Sequence, residues 1–161
     1  MVTSKNLSSF IQKFLPCLLL CLGGGWLTGL VTEHGIKQWY PHLVKPCGTP
    51  PDIVFPIVWT ILYICMAVAL TLLWMSKTRG KRKPLLLFFV QLFLNFIWSW
   101  LFFYLEEPGL ALVDVVILWV LILMTIKSFS PHTRWGSYLL ISYLIWVTYA
   151  VYLNLFIWMR N

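Results

Sequence analysis

Long stretches without charged residues are the feature that most constrains this chain. Four such stretches, of 19, 23, 22 and 25 residues, lie at positions 14–32, 53–75, 84–105 and 135–159. A fifth, at 108–126, contains one charged residue, Asp114. The hydrocarbon core of a bilayer is about 30 Å thick, and about 20 apolar residues cross it as a helix. Each stretch is therefore predicted to be a transmembrane helix, since the strands of a membrane barrel would alternate between apolar and polar residues.

The composition excludes an ordinary soluble domain. Of the 161 residues, 60% are hydrophobic and 11% are charged, whereas soluble domains average about 45–50% and about 25%. A soluble chain of this length could not bury so much apolar surface. The formal charge of +7 would suggest nucleic acid in a soluble protein. Here the cations lie in short segments rather than in a basic domain, so we expect a membrane protein without a nucleic-acid partner.

The predicted fold class is an all-α membrane protein, a five-transmembrane-helix bundle that forms one domain over residues 1–161. Pro84, Pro108 and Pro131 each stand at a helix start or in a turn, where a missing N–H does no harm. The first apolar stretch is too long for a cleaved signal peptide, so we expect it to be retained. The spans are placed at about 10–31, 53–76, 84–105, 108–127 and 134–158, with an outer loop at 32–52.

The distribution of cations predicts the orientation in the membrane. Nine Lys and Arg residues lie in the N-terminal segment and in the loops between spans 2 and 3 and between spans 4 and 5, against three on the opposite side. Cytoplasmic segments carry the excess of Lys and Arg, so the N-terminus is predicted to be cytoplasmic. The basic run at 77–83 is interpreted as a topology anchor that also suits anionic lipid. The expected location is a bacterial inner (plasma) membrane.

The outer loop contains the candidate metal ligands of the sequence. His34, His42 and Cys47 could contact a metal or haem iron, but their irregular spacing favours solvated residues at the membrane surface. The sequence contains no CxxC motif, so no metal site is predicted. Four prolines between positions 41 and 51 make the loop stiff, and we interpret it as a lid.

Polar and aromatic residues share one face of three predicted spans. Asn95 lies near the middle of span 3, where an amide without a partner is costly, so a partner or a pocket is expected. These faces fit helix packing or, taken together, a flat apolar cavity for a planar aromatic ligand. By helical spacing, the face of span 2 consists of Phe55, Trp59, Tyr63 and Met66, that of span 3 of Gln91, Asn95, Trp98 and Phe102, and that of span 5 of Ser142, Trp146, Ala150 and Leu153.

Two further sequence features, an acidic residue and a glycine pair, can each be interpreted in two ways. Asp114 is either a functional group inside a span or a hydrogen-bonded packing group near the membrane surface. Gly25 and Gly29 form a small-xxx-small pair, which allows close packing of helices within the bundle or between protomers.

Several sequence blocks resemble the TspO/translocator-protein family, also called tryptophan-rich sensory proteins or peripheral-type benzodiazepine receptors. The blocks cover nearly the whole chain in the family's order. They are W-Y-x-x-L-x-K-P at 39–46, T-P-P at 49–51, F-P-I-V-W-T-I-L-Y at 55–63, Q-L-F-L-N-F-I-W-S at 91–99, V-D at 113–114 and Y-L-I-W-V-T-Y-A-V-Y-L-N at 143–154.

This resemblance implies a homodimeric five-helix bundle that binds a porphyrin, protoporphyrin IX or haem, and requires no cofactor. Relatives also bind cholesterol or benzodiazepine-type ligands. The tryptophans that match Trp59 and Trp146 are implicated in light-dependent porphyrin breakdown, so these two are the catalytic candidates. The family's ligand-binding positions correspond to Tyr40, Pro50, Trp59, Tyr63, Asn95, Trp98, Trp146 and Ala150.

Two departures from the family pattern concern the ligand. Leu155 stands where animal members carry the tyrosine of a cholesterol-recognition motif, so the sterol motif is not met. Some bacterial relatives carry an amide at the position of Trp98, which changes the pocket shape.

Three functions therefore remain open at this point. The first is a tetrapyrrole receptor or sensor whose pocket lies between spans 2, 3 and 5 under the outer loop. The second is a light-dependent porphyrin-degrading enzyme. The third is a transporter of porphyrin-like or sterol-like lipophiles, against which the lack of an inverted repeat counts.

Overall fold

The computed structural model describes residues 4–161, with side chains described from Leu7 onward. All five helices are long and apolar enough to cross a membrane. No strand occurs in residues 4–161, and the predicted all-α five-helix fold is confirmed. The helices are α1 (Ser4–Gln38), α2 (Val54–Met75), α3 (Arg82–Ser99), α4 (Pro108–Phe129) and α5 (Arg134–Arg160).

Local chemistry accounts for several helix ends. Pro108 is the first residue of α4, where its fixed φ suits the helix. The Thr133 side chain caps α5 by accepting a hydrogen bond of 3.1 Å from the Gly136 N–H. At the end of α2, the Lys81 ammonium donates to the carbonyls of Trp74 and Ser76. Part of the basic run at 77–83 therefore caps a helix, because cations are favourable at helix C-termini.

The helices form a closed ring in the order α1, α2, α5, α4 and α3, with α3 returning to α1. Tyr143, Phe88, Phe129 and Met66 are among the largest side chains buried completely inside the ring. Large apolar side chains such as Leu19 are exposed on the outside of the bundle. This distribution is expected where lipid, rather than water, surrounds the helices.

The first helix is longer than the sequence predicted. It continues through Gln38, so the first seven residues of the predicted 32–52 loop are helical. An ion pair between Glu33 and Lys37, one turn apart, supports this polar extension. The prediction ended the helix where the apolar run ended, but a helix continues beyond the bilayer when its polar residues stabilise one another. The remaining α1–α2 connection contains a short 3₁₀ turn at Tyr40–His42.

A π-helical turn, Trp100–Tyr104, follows α3. The Leu105 N–H donates to the Trp100 carbonyl over 3.0 Å, five residues back. Consecutive residues in a regular α-helix diverge by about 100°, but here Phe102 and Phe103 both contact the Tyr40 ring, at centroid distances of 6.3 and 5.6 Å. The turn thus presents two adjacent aromatic rings to the α1–α2 loop.

The end of α1 is held close to this π-helical turn. A Cβ atom at Gly35 would collide with the backbone carbonyl oxygen of Phe103. Only glycine, which has no side chain, fits this approach. The contact fixes the position of α1 beside the aromatic turn.

Candidate ligand-binding site

A large cavity of about 690 Å³ lies between α1, α2 and the end of α3. This volume is within the range of about 300–1,000 Å³ that is typical of small-molecule sites. On the α1 side, Trp26 and Leu30 line the cavity and are exposed, so the cavity opens towards the outside of the bundle there. Most of the remaining wall is aromatic, with contributions from Tyr40, Phe55, Trp59, Tyr63, Trp98 and Phe103.

Two stacked rings of α2 form the inner wall of this cavity. The Trp59 and Tyr63 rings lie 5.6 Å apart with an interplanar angle of 30°. Trp59 also meets the buried ring of Tyr143 on α5 edge-on, with ring centroids 6.2 Å apart. The indole of Trp59 therefore contacts two aromatic neighbours and also lines the cavity.

The position of Tyr63 is fixed from behind the cavity. Its hydroxyl donates a hydrogen bond of 2.8 Å to Asn95 Oδ1 on α3. Asn95 is 1% exposed and does not line the cavity. Asn95, one of the predicted ligand-binding residues, therefore lies behind the wall, where it holds the Tyr63 hydroxyl.

The α1–α2 loop covers one end of the cavity and is attached to α5. Tyr40 is buried and lines the cavity, and burial, with smaller effects of Asp52 and Tyr149, raises the pKa of its phenol to about 12. Tyr149 donates a hydrogen bond of 2.9 Å to the Gly48 carbonyl. The Val44 N–H donates to Asn161 Oδ1 over 2.9 Å. The loop is therefore ordered by specific bonds, as its prolines suggested.

A second, much smaller cavity of about 30 Å³ lies between α2, α3 and α5. This is where the sequence predicted the ligand pocket, but the space is about that of one water molecule. Trp146 and Ala150 line this small cavity and do not line the large one. The structure fills the predicted position because the Phe55 and Trp146 rings meet at 6.0 Å. The larger space lies on the α1 side instead.

Ser142, which was assigned to the inner face of span 5, is exposed and donates to its own helix.

The eight predicted ligand-binding residues separate into groups. Trp146 and Ala150 line only the small cavity, and Asn95 lines neither cavity. Pro50 is half-buried in the loop and lines neither cavity. Those that line the large cavity are Tyr40, Trp59, Tyr63 and Trp98.

Asn154, the last residue of the family-like block at 143–154, organises the small cavity. Its Oδ1 accepts a hydrogen bond of 3.0 Å from the Trp98 indole N–H, and its Nδ2 donates 2.7 Å to the Pro108 carbonyl. One side chain of α5 thus joins α3 to the start of α4 and fixes the Trp98 ring.

Four buried polar atoms have no hydrogen-bond partner within the described part of the chain. They belong to Gln91, Asn95, Asp114 and Tyr143. Tyr143 lies near polar groups of every other helix, namely Cys21, Tyr63, Asn95 and Asp114. The bundle interior behind the aromatic wall is therefore partly polar. Asp114 is buried in α4, and its Oδ2 is one of these four atoms.

Sequence reasoning missed most of the α1 side of the cavity. The available signal was the Gly25–Gly29 pair, which was interpreted as packing, together with Thr28 and Thr32 on the same part of α1, which received no interpretation. A Cβ at Gly25 would collide with the Tyr63 ring, whereas Gly29 faces open space in the cavity. The small residues therefore serve both packing and the formation of the cavity.

Residues 7–161 contain no group of three His, Cys, Asp or Glu side chains placed to hold a metal ion. His34, His42 and Cys47 do not come together in this part of the chain. The geometry instead offers aromatic surfaces, which contact planar apolar molecules through ring stacking.

Fold and site together define an integral membrane protein of five helices, with an aromatic-walled cavity under its first loop. The chain belongs to the TspO/MBR family, whose model matches residues 17–159. It is 40% identical over 149 residues to the tryptophan-rich protein TspO of Chlorobaculum tepidum, an alignment that covers 90% of this chain and 93% of that one.

Two other relatives match over similar lengths. The tryptophan-rich protein TspO of Archaeoglobus fulgidus is 34% identical over 151 residues, covering 94% of this chain and 98% of its own. The tryptophan-rich sensory protein of Cereibacter sphaeroides is 33% identical over 141 residues, covering 88% and 86%.

Proposed function

We propose that this protein is a membrane receptor or sensor for a planar tetrapyrrole, with protoporphyrin IX as the representative ligand. The observation that carries the proposal is the cavity of about 690 Å³ walled by Tyr40, Trp59, Tyr63 and Trp98. Membership of the TspO/MBR family supports the same ligand class. The name of the C. sphaeroides relative, tryptophan-rich sensory protein, supports a sensory role.

The proposed binding mode places the macrocycle between α1 and the Trp59–Tyr63 stack. The cavity opens beside Trp26 and Leu30, so a lipophilic ligand enters from the surrounding lipid. The flat aromatic wall provides contact area, because stacked rings add to the hydrophobic contribution. The α1–α2 loop closes the end of the cavity through Tyr40.

The signal is proposed to pass through the loop to α5. A bound ligand contacts Tyr40, and the loop that carries Tyr40 is bonded to Tyr149 and Asn161. Ligand binding therefore stabilises the docked loop, since a ligand favours the state that it contacts more strongly. Homodimer formation, the cytoplasmic N-terminus and the bacterial inner membrane stay predictions.

A second function, light-dependent porphyrin breakdown, is favoured by one observation. Trp59 lies at the cavity surface, where its electron-rich indole would contact the porphyrin. Trp146 lines only the small cavity, so the structure favours Trp59 over Trp146 as the participating residue.

Titration of the detergent-purified protein with protoporphyrin IX, followed by tryptophan fluorescence in the dark, tests the receptor proposal. Saturable quenching supports it, and an absence of saturable quenching contradicts it. The same samples are then illuminated while the porphyrin absorption band is recorded. Loss of the band in the wild type but not in W59F, with binding retained, would favour the enzyme over the receptor.

A further inference from the structure

The end of the bundle opposite the α1–α2 loop carries only positive charges in two segments. Residues 76–83 connect α2 to α3, and residues 127–134 connect α4 to α5. Neither segment contains an Asp or Glu. The five acidic residues of the chain lie at the other end of the helices or in the first turns of α4. The cations of the two segments are Lys77, Arg79, Lys81, Arg82, Lys83, Lys127 and Arg134.

Contacts within the protein hold these two segments side by side. Thr78 in the first segment and His132 in the second are hydrogen-bonded through Oγ1 and Nδ1. The start of α5 also packs closely on α2, because a Cβ atom at Gly136 would lie 3.3 Å from the Ala69 carbonyl oxygen. The cations of both segments therefore belong to one surface rather than to two separate loops.

Most of these cations are available to a partner. Lys81 is excluded, because its ammonium donates to the carbonyls at the end of α2. The other cations are exposed, and none of them takes part in an ion pair within residues 7–161. We call this group the basic surface. It consists of Lys77, Arg79, Arg82, Lys83, Lys127 and Arg134.

Exposed aromatic residues indicate the depth of the basic surface in the membrane. Trp74 lies at the end of α2, and Trp135 and Tyr138 lie in the first turns of α5. All three are exposed, and the Trp135 and Tyr138 rings meet edge-on at 6.0 Å. Trp and Tyr are enriched where the hydrocarbon core meets water. The basic surface, which lies at the same helix ends, is therefore at the level of the lipid phosphates.

We propose that the basic surface is a binding site for the headgroups of anionic phospholipids. Clusters of about four to eight Lys and Arg residues beside a transmembrane helix attract anionic lipid. The three arginines of the surface suit phosphate in particular, since a guanidinium can donate two parallel hydrogen bonds to phosphate oxygens. A zwitterionic phospholipid carries its own cation and is attracted less. This site is separate from the aromatic cavity and does not depend on the proposed function.

The experiment compares two phospholipids with the same acyl chains, dioleoylphosphatidylglycerol and dioleoylphosphatidylcholine. Native mass spectrometry of the detergent-purified protein gives an apparent dissociation constant for each lipid. The measured quantity is the ratio of the phosphatidylcholine constant to the phosphatidylglycerol constant, in which the contribution of the acyl chains cancels. Wild type is expected to have a ratio of about ten or more. In detergent, the result does not depend on the orientation of the chain in a membrane.

The variant R79Q/R134Q removes one cation from each segment. A cation close to an anionic lipid surface contributes about a factor of five in affinity, so the ratio is expected to fall at least about fivefold. K77Q/K127Q removes a second such pair and is expected to act in the same direction. The matched control, K45Q/R160Q, removes two cations from the opposite end of the bundle and is expected to retain the wild-type ratio. Thermal unfolding of each variant verifies that it is folded.

A wild-type ratio near one, or an equal fall in the control and in both test pairs, would overturn the inference. Displacement of phosphatidylglycerol by millimolar inorganic phosphate would assign the surface to free phosphate and would also overturn it. The same holds if an oligonucleotide binds through Arg79 and Arg134 while neither lipid is preferred. Because no porphyrin is present, each of these outcomes leaves the receptor proposal intact.

Discussion

Tyr63 and Asn95 join α2 to α3 through a hydrogen bond of 2.8 Å between the Tyr63 hydroxyl and Asn95 Oδ1. Both side chains are buried, and the bond lies directly behind the cavity wall. Because few water molecules reach such a position in a bilayer, the bond fixes the Tyr63 ring more firmly than an equivalent bond at a surface would.

Removal of this hydroxyl is expected to destabilise the bundle. Y63F leaves Asn95 Oδ1 without its partner, and Asn95 Nδ2 has none among the described residues. An unsatisfied buried polar group costs about 1–3 kcal/mol. Thermal unfolding in detergent measures the loss, and Y138F, which removes an exposed hydroxyl, is expected to behave like wild type. Equal stability of Y63F and wild type would contradict the role of the bond.

Two glycines of α1 are expected to respond in opposite ways to alanine. G35A forces a Cβ into the Phe103 carbonyl, whereas a Cβ at Gly23 meets nothing within 4 Å. Alanine is favoured over glycine in a helix by about 1 kcal/mol, so G23A is neutral or stabilising. G35A is expected to lower the unfolding temperature strongly or to prevent folding. The comparison fails if both variants unfold like wild type.

The identity of the ligand cavity is tested by filling it from Gly29. A Cβ at Gly29 meets no atom within 4 Å, and Gly29 lines the large cavity. G29F is therefore expected to fold but to weaken protoporphyrin IX binding at least tenfold, because its ring occupies the ligand's space. G23F introduces the same ring on the same helix outside the cavity and is expected to bind normally. Normal binding by G29F would place the ligand elsewhere.

Attachment of the α1–α2 loop to α5 is expected to depend on Asn161. In N161L the Val44 N–H and carbonyl both lose their side-chain partner. Each such bond is worth about 0.5–1.5 kcal/mol, so the loss of both corresponds to a roughly fivefold or greater acceleration of exchange at the loop amides. Hydrogen–deuterium exchange of residues 43–51 measures this change, with Y152F on the exposed side of α5 as the control. Unchanged exchange would show that the loop is held by other contacts.

The raised pKa of Tyr40 gives the loop a defined response to alkaline pH. Burial, with smaller effects of Asp52 and Tyr149, raises this pKa from 10.0 to about 12, so the folded state holds the phenol proton more strongly than the unfolded chain does. The resulting stabilisation is complete below about pH 10 and is lost as the pH rises towards 12. The absorbance difference between wild type and Y40F, followed during alkaline titration, is expected to have its midpoint near 12. A midpoint near 10 would mean that Tyr40 is not buried in the membrane-embedded protein.

The sequence was sufficient to predict the number of helices, because an uncharged apolar stretch long enough to cross the bilayer forms a transmembrane helix. It was also sufficient for buried positions in α2, in α3 and in the π-helical turn, since Met66, Gln91 and Phe102 are all buried. The position of the cavity could not be predicted in this way. Periodicity identifies which residues face inward, but the space between helices depends on side-chain volumes from several helices at once.

Two particular residues illustrate this limit. Trp146 was correctly placed on a partly buried face, yet its ring fills the space beside Phe55 instead of bordering the larger cavity. Gly29 was interpreted as a packing residue, yet it borders open space. Whether a small residue creates a contact or a void depends on the partner helix, and a single sequence does not contain that information.

The π-helical turn at Trp100–Tyr104 has a consequence for alignment. It carries one residue more than a regular helical turn would need to reach the same point, so both Phe102 and Phe103 reach Tyr40. An alignment of this chain with a relative that has a regular helix here requires a one-residue gap between Ser99 and Leu105. Without that gap, every equivalence assigned between the turn and the start of α4 is shifted by one position.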